Sequence, residues 1–156
     1  MATPARTPRL LHHGEPRSGK PLNILGDTII PLVTGEDNGG AVSIAEIHTP
    51  PGGGTPLHVH HREDEYFYLL EGEVEFEVNG IPLRAGAGAH IFAPRDVPHR
   101  YVNVGNARSR MIGMAQPAGI EKMFEEISAM AAAGPPDPAQ LGALCARFGI
   151  EILAPR

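Results

Sequence analysis

From residue 58 the chain alternates apolar and polar positions, with a period near two over about fifty residues. Residues i and i+2 of a strand share a face. Glu65, Phe67 and Leu69 therefore fall on one side of a predicted strand over 65–71, and Tyr66, Tyr68 and Leu70 on the other. Val74, Phe76 and Val78 alternate with Glu75 and Glu77, the pattern of a half-buried strand with one wet face. Asn79-Gly80 predicts a type I′ hairpin turn, and 81–84 the returning strand. Further strands are predicted over 90–93, 99–104 and 109–115. Upstream, 28–34 and 41–49 also read as strands, the first at a sheet edge because Pro31 has no N–H to donate. A turn over 35–40 separates them, and a Pro/Gly loop over 50–56 follows. Many short strands with turns every ~8–12 residues argue for a sandwich or barrel.

The period changes at Ile120. Ile120, Met123, Phe124, Ile127 and Met130 form one helical face, and the run breaks over 131–136. Asp137 suits the N-cap of a second helix, with Pro138 at its first position and Gln140 at the capping-box site. Its apolar face is Leu141, Leu144 and Phe148, and Gly149 suits its end. The 156 residues are enough for one domain. They divide into an N-terminal arm (1–27), a β-barrel (28–116) and a helical extension (117–156) packed on the barrel or on a partner subunit.

Composition narrows the partners. A net charge of −5 without a basic block disfavours nucleic acid. Lys122 and Arg147 stand against Glu121, Glu125 and Glu126, so the two helices do not suit DNA reading. Gly14-x4-Gly19-Lys20 resembles a phosphate loop, but Pro21 replaces the needed Ser or Thr. No apolar run approaches the ~18 residues of a membrane span. The opening Met-Ala-Thr-Pro-Ala-Arg lacks a leader's apolar segment. Cys145, the single cysteine, excludes an internal disulfide, and a cytoplasmic home is expected.

The candidate chemistry lies in the strand-rich region. His58 and His60 share a strand face, Glu65 opens the next strand, and His99 enters from a later one. Inward positions of a closed barrel converge on its axis. Three imidazoles and a carboxylate suit one divalent transition ion: iron, manganese, nickel, cobalt, copper or zinc. One or two octahedral positions stay open for a small-molecule substrate or dioxygen. Glu65 is either a permanent ligand or the general base on a substrate hydroxyl. Phe67, Phe76 and Tyr101 are either barrel packing or an apolar substrate pocket over the ion. His61, Glu63 and Asp64 read as a connection that is solvated or at most supports the ligands from behind, His48 and Glu46 as an exposed pair or a rim position, and His90 as inward or as a core or outer-face histidine. Arg110 and Met111 compete for one inward position.

Two segments, Gly52-x5-His58-Val59-His60-x4-Glu65-x6-Gly72 and Gly88-x5-Pro94-x4-His99-x3-Asn103, resemble the paired signature motifs of the cupin superfamily. One position departs: Asp96 stands where the motif has glycine, and Asp tolerates the positive-φ turn expected there. The resemblance implies a mainly β fold, the cupin double-stranded β-helix (a small jelly-roll-like barrel), with two C-terminal α-helices and commonly a homodimer. It implies His58, His60, Glu65 and His99 as metal ligands. The two-helix tail resembles that of bacterial quercetin 2,3-dioxygenase-like cupins. The implied function is a metal-dependent dioxygenase acting on a small enol or phenol-type, quercetin-like substrate, with Glu65 as the catalytic residue. The alternatives are a redox-neutral cupin isomerase or lyase, and a non-catalytic small-molecule-binding cupin.

Overall fold

The computed structural model describes residues 7–154; the six opening residues, read above as lacking a leader segment, lie outside that range, as do 155–156. In chain order the elements are β1 (Leu22–Ile24), β2 (Asp27–Val33), α1 (Gly35–Asn38), β3 (Ser43–Thr49), β4 (His58–His60), β5 (Asp64–Glu71), β6 (Glu73–Val78), β7 (Ile81–Gly86), β8 (His90–Ala93), β9 (His99–Asn103), β10 (Ser109–Gln116), α2 (Ile120–Ala132), α3 (Pro138–Arg147) and β11 (Ile150–Ile152). They form a six-stranded sheet, β1-β2-β3-β10-β5-β8, and a five-stranded sheet, β11-β4-β9-β6-β7. This is a cupin-like topology, predominantly β with two C-terminal helices. The expected barrel does not close into one hydrogen-bonded ring. The chain leaves one ladder for the other between β5 and β6, and the two sheets instead sandwich a common core. Gly72 makes that crossing at φ +90°, where a Cβ would press on Ser109.

The alternation sorts the side chains as predicted. Phe67, Leu69, Ile47 and Met111 of the first sheet meet Val74, Phe76 and Tyr101 of the second. Met111 takes the disputed inward position, and Arg110 turns outward to Glu46 and Glu71. The Asn79-Gly80 turn has positive φ at both residues and pairs Val78 with Ile81, as a two-residue hairpin requires. Three expectations need correction. Residues 22–24, placed in the arm, form β1, because Leu22 and Ile24 have an apolar core to cover. β2 is flanked on both sides, yet β1 pairs only with Asp27 to Ile29, so Pro31 has no strand partner on that side, where its carbonyl instead accepts the Arg17 N–H at 2.7 Å. The 35–40 turn contains α1, where Thr34 N–H donates to Asp37 Oδ2 at 3.0 Å.

The helices build a second core. Ile120, Met123 and Ile127 of α2 pack with Leu144 and Cys145 of α3, and with Ala115 and Ile150. Asp137 caps α3 by accepting the Gln140 N–H at 3.2 Å. Buried Glu121 accepts from Gly35 N–H (2.8 Å), Gly119 N–H (2.7 Å) and the Ser43 hydroxyl, which ties α2 to the first sheet. The extension is not helical throughout. β11 pairs with β4, setting Ile150 opposite His60 and Ile152 opposite His58. A three-residue run after Gly149 is too short for periodicity to reveal. No helix among the described residues is long and apolar enough to cross a membrane.

Phe76 is 1% exposed in the shared core. Phe76→Ala should cost about 3–5 kcal/mol of stability, read from the urea midpoint at unchanged slope. A loss below 1 kcal/mol would contradict this packing.

Candidate metal centre

Histidines and carboxylate come from opposite sheets. His58 and His60 project from β4, and His58 lies directly across from His99 of β9. Glu65 reaches them from β5 in the other sheet. One donor atom from each of the four lies within 4.8 Å of the others. Three of these side chains are buried, and His58 is half-buried.

The imidazole orientations are fixed from behind. His58 Nδ1 lies 2.8 Å from the Pro56 carbonyl oxygen, and His99 Nδ1 lies 3.1 Å from that of Val97. A carbonyl only accepts, so Nδ1 carries the proton in both and Nε2 offers a lone pair. His60 Nδ1 lies 3.1 Å from Glu63 Oε2. Glu65 Oε2 sits 2.8 Å from His99 Nε2 and 3.1 Å from His60 Nε2. Lone pairs this close repel unless a cation lies among them, and this donor set suits a divalent transition ion.

The electrostatics agree. Burial pushes the His58 imidazole down to about 4; the neighbouring His99 and His60 add to this and Glu65 partly opposes it. Burial also works against charge on His60, but Glu65 and Glu63 outweigh it and raise its pKa. Burial would raise Glu65, yet the surrounding His60, His99 and His58 hold it at about 2. The carboxylate is thus ionised across the physiological range.

Several residues depart from expectation. Glu63 takes the second of its two expected places: it is buried and braces His60 from behind, because the connection after β4 turns back beneath it. His61 is exposed and pairs with Asp96 (2.7 Å) and Glu151 (3.4 Å). Asp96 adopts φ +64°, the turn its motif position demands, and its N–H donates to His60 O at 2.8 Å. Asp64 is held by Arg95 through three nitrogens, its backbone N–H, Nε and Nη2, rather than solvated alone. His48 and Glu46, expected exposed or at a rim, form a partly buried pair at 2.7 Å, with Arg110 3.4 Å from Glu46. His90 is exposed on the outer face.

A cavity of about 110 Å³ opens over the centre. Phe67 and Tyr101 line it, whereas Phe76 lies behind them in the core, 5.3 Å and 5.7 Å away by ring centroids. Most of the wall is aliphatic or aromatic; α2, α3 and β11 supply Ile120, Met123, Ile127, Leu141 and Ile150. No lysine or arginine among the described residues lines it. Gly54 brings the 50–56 loop against the Tyr101 carbonyl, where any Cβ would collide, and so sets Thr55 and Pro56 in the wall. Asp27, which no sequence signal singled out, also lines the cavity and accepts the Tyr101 hydroxyl at 2.5 Å.

Residues 45–114 match the Cupin domain family. The polyketide synthase CurC of Streptomyces cyaneus is 39% identical over 64 residues, 40% of this chain and 40% of that protein. The first curated relatives are matched over 60%, 40% and 50% of their own lengths, so this chain spans about half of each. Among solved structures, the polyketide cyclase RemF of Streptomyces resistomycificus superposes with a TM-score of 0.60 at 24% identity, over 70% of this chain and 80% of that one. A predicted oxalate decarboxylase of Thermotoga maritima gives 0.57 at 26% identity, over 63% and 90%. With the fold and the four-residue cluster, these matches make the chain similar to cupin proteins over its strand-rich region.

Three variants test the centre. Protein purified without added metal should carry a divalent ion by elemental analysis, and His99→Ala should lose most of it; full occupancy in that variant would remove His99 from the ligand set. Glu63→Ala should weaken the ion by about 10–100-fold in a chelator competition, and Glu63→Gln, which keeps an acceptor oxygen, should restore part of the loss.

Proposed function

We propose that this chain is a metal-dependent dioxygenase acting on a small, mainly apolar enol or phenol-type substrate. The observation that carries the proposal is a buried three-histidine, one-glutamate cluster at the base of an apolar cavity. His58, His60, Glu65 and His99 would hold the ion. A bound divalent ion would polarise the substrate oxygen and lower its proton affinity. The chain's own part is to hold the reactants close, exclude water and keep the imidazoles in one orientation.

Size and charge narrow the substrate. A cavity of about 110 Å³ is of the same order as the ~150 Å³ void that accepts benzene, so one small ring or a short 1,3-dicarbonyl fits better than a three-ring flavonol. Without a lysine or arginine in the wall, a phosphate ester has no partner. Dioxygen is apolar and partitions into such a wall. Glu65, held at about 2, is a weak base, so ligation is its first role and proton transfer a secondary one. The homodimer belongs to the same proposal: the outer face of the six-stranded sheet exposes Tyr68 and Phe92 beside half-buried Tyr66 and Leu70.

A redox-neutral reaction on the same class of substrate is the second reading. Similarity to CurC favours it, since polyketide chains are rich in 1,3-related carbonyls. Oxygen consumption separates the two. Metal-loaded protein should take up dioxygen in step with loss of a small 1,3-dicarbonyl such as acetylacetone or of a simple phenol, and Glu65→Gln should lose at least about tenfold in rate. Turnover that persists under argon would replace the dioxygenase by the redox-neutral enzyme. Binding without turnover in either atmosphere would make the chain a carrier.

A further inference from the structure

The cavity holds a second polar station away from the four ligands. Asp27, at the start of β2, is 3% exposed and lines the cavity. Its Oδ2 accepts the Tyr101 hydroxyl at 2.5 Å, while its Oδ1 is buried with no hydrogen-bond partner. The Thr49 hydroxyl is near enough to favour the charged carboxylate but is itself unpartnered. Burial raises the pKa of Asp27, and the Tyr101 and Thr49 hydroxyls and the Arg108 charge oppose the rise. A buried acceptor left without a donor is costly, and the rest of the wall is almost entirely apolar.

We propose that Asp27 Oδ1 is a specificity determinant, accepting a hydrogen bond from a hydroxyl of the substrate whose other oxygen faces the four-ligand centre. This rests on the metal-dependent reading above. The Tyr101 hydroxyl is a positioning group: by donating to Oδ2 it fixes the carboxylate and leaves Oδ1 for the ligand. The site would then select substrates with two oxygens, one for the ion and one bearing a proton, joined by a compact apolar body. An analogue that lacks the proton leaves Oδ1 unpaired and is rejected.

The chemistry makes the test specific. In Asp27→Asn the Tyr101 hydroxyl still needs an acceptor, so the amide oxygen takes the Oδ2 place and the NH2 takes that of Oδ1. An acceptor becomes a donor without change of shape. Binding of phenol, 1,3- and 1,4-dihydroxybenzene and their monomethyl ethers to zinc-loaded full-length protein, measured by calorimetry, needs no turnover. At least one dihydroxybenzene should bind about tenfold or more tighter than its methyl ether. In Asp27→Asn that preference should vanish or reverse towards the ether. If both bind the parent equally, the Asp27 proposal falls, as it would were the Thr49 hydroxyl to close on Oδ1. The parent panel alone decides this even if the variant fails to fold. If no phenol binds the zinc-loaded parent, the Asp27 proposal falls, and the metal-dependent reading falls with it only if acetylacetone also fails to bind; phenols that bind without discrimination leave that reading standing.

Discussion

One ionised carboxylate facing three imidazoles across the gap between two sheets is the constraint on which the rest depends. Burial alone would drive Glu65 towards its neutral form, and the imidazoles reverse that. The cost of holding such charge out of water is offset only if the groups stay at a fixed separation. Fixed separation across two sheets needs a rigid core beneath them. Phe67, Phe76 and Tyr101 supply it, packed in tilted and edge-to-face pairs at centroid distances of 5.3–6.1 Å. Orientation needs acceptors behind each ring, and Pro56, Glu63 and Val97 provide them.

Much of this was legible in the sequence, because it depends on period and spacing. A spacing of two positions puts His58 and His60 on one strand face, and Val74, Phe76 and Val78 announce their strand without ambiguity. Asn79-Gly80 and the Asp96 turn were readable from backbone chemistry, and both show the positive φ that it demands. What was not legible lacks a local pattern. β11 is three residues long and gains its order from the edge of β4. Glu63 reads as one more charge in a polar connection, and only the fold reveals that it lies under His60. Asp27 has no motif at all, and its meaning comes from Tyr101, which is distant in sequence and adjacent in space.

The same limit explains the pocket. In-phase aromatics are compatible with packing and with lining, and alternation cannot separate the two. The fold divides them: Phe67 and Tyr101 do both, and Phe76 only packs. The rest of the wall comes from α2, α3 and β11, elements whose amphipathic faces predicted contact with something apolar but not with what.

That division of labour has a consequence for how the molecule is made. The donor groups all lie within residues 58–99, whereas the roof of the cavity is built from residues 120–152. A ribosome delivers every strand of the two sheets except β11 before it delivers the helices. All four donors are therefore synthesised before the roof, and the last segment both closes the chamber and adds β11 to the free edge of the strand that carries His58 and His60.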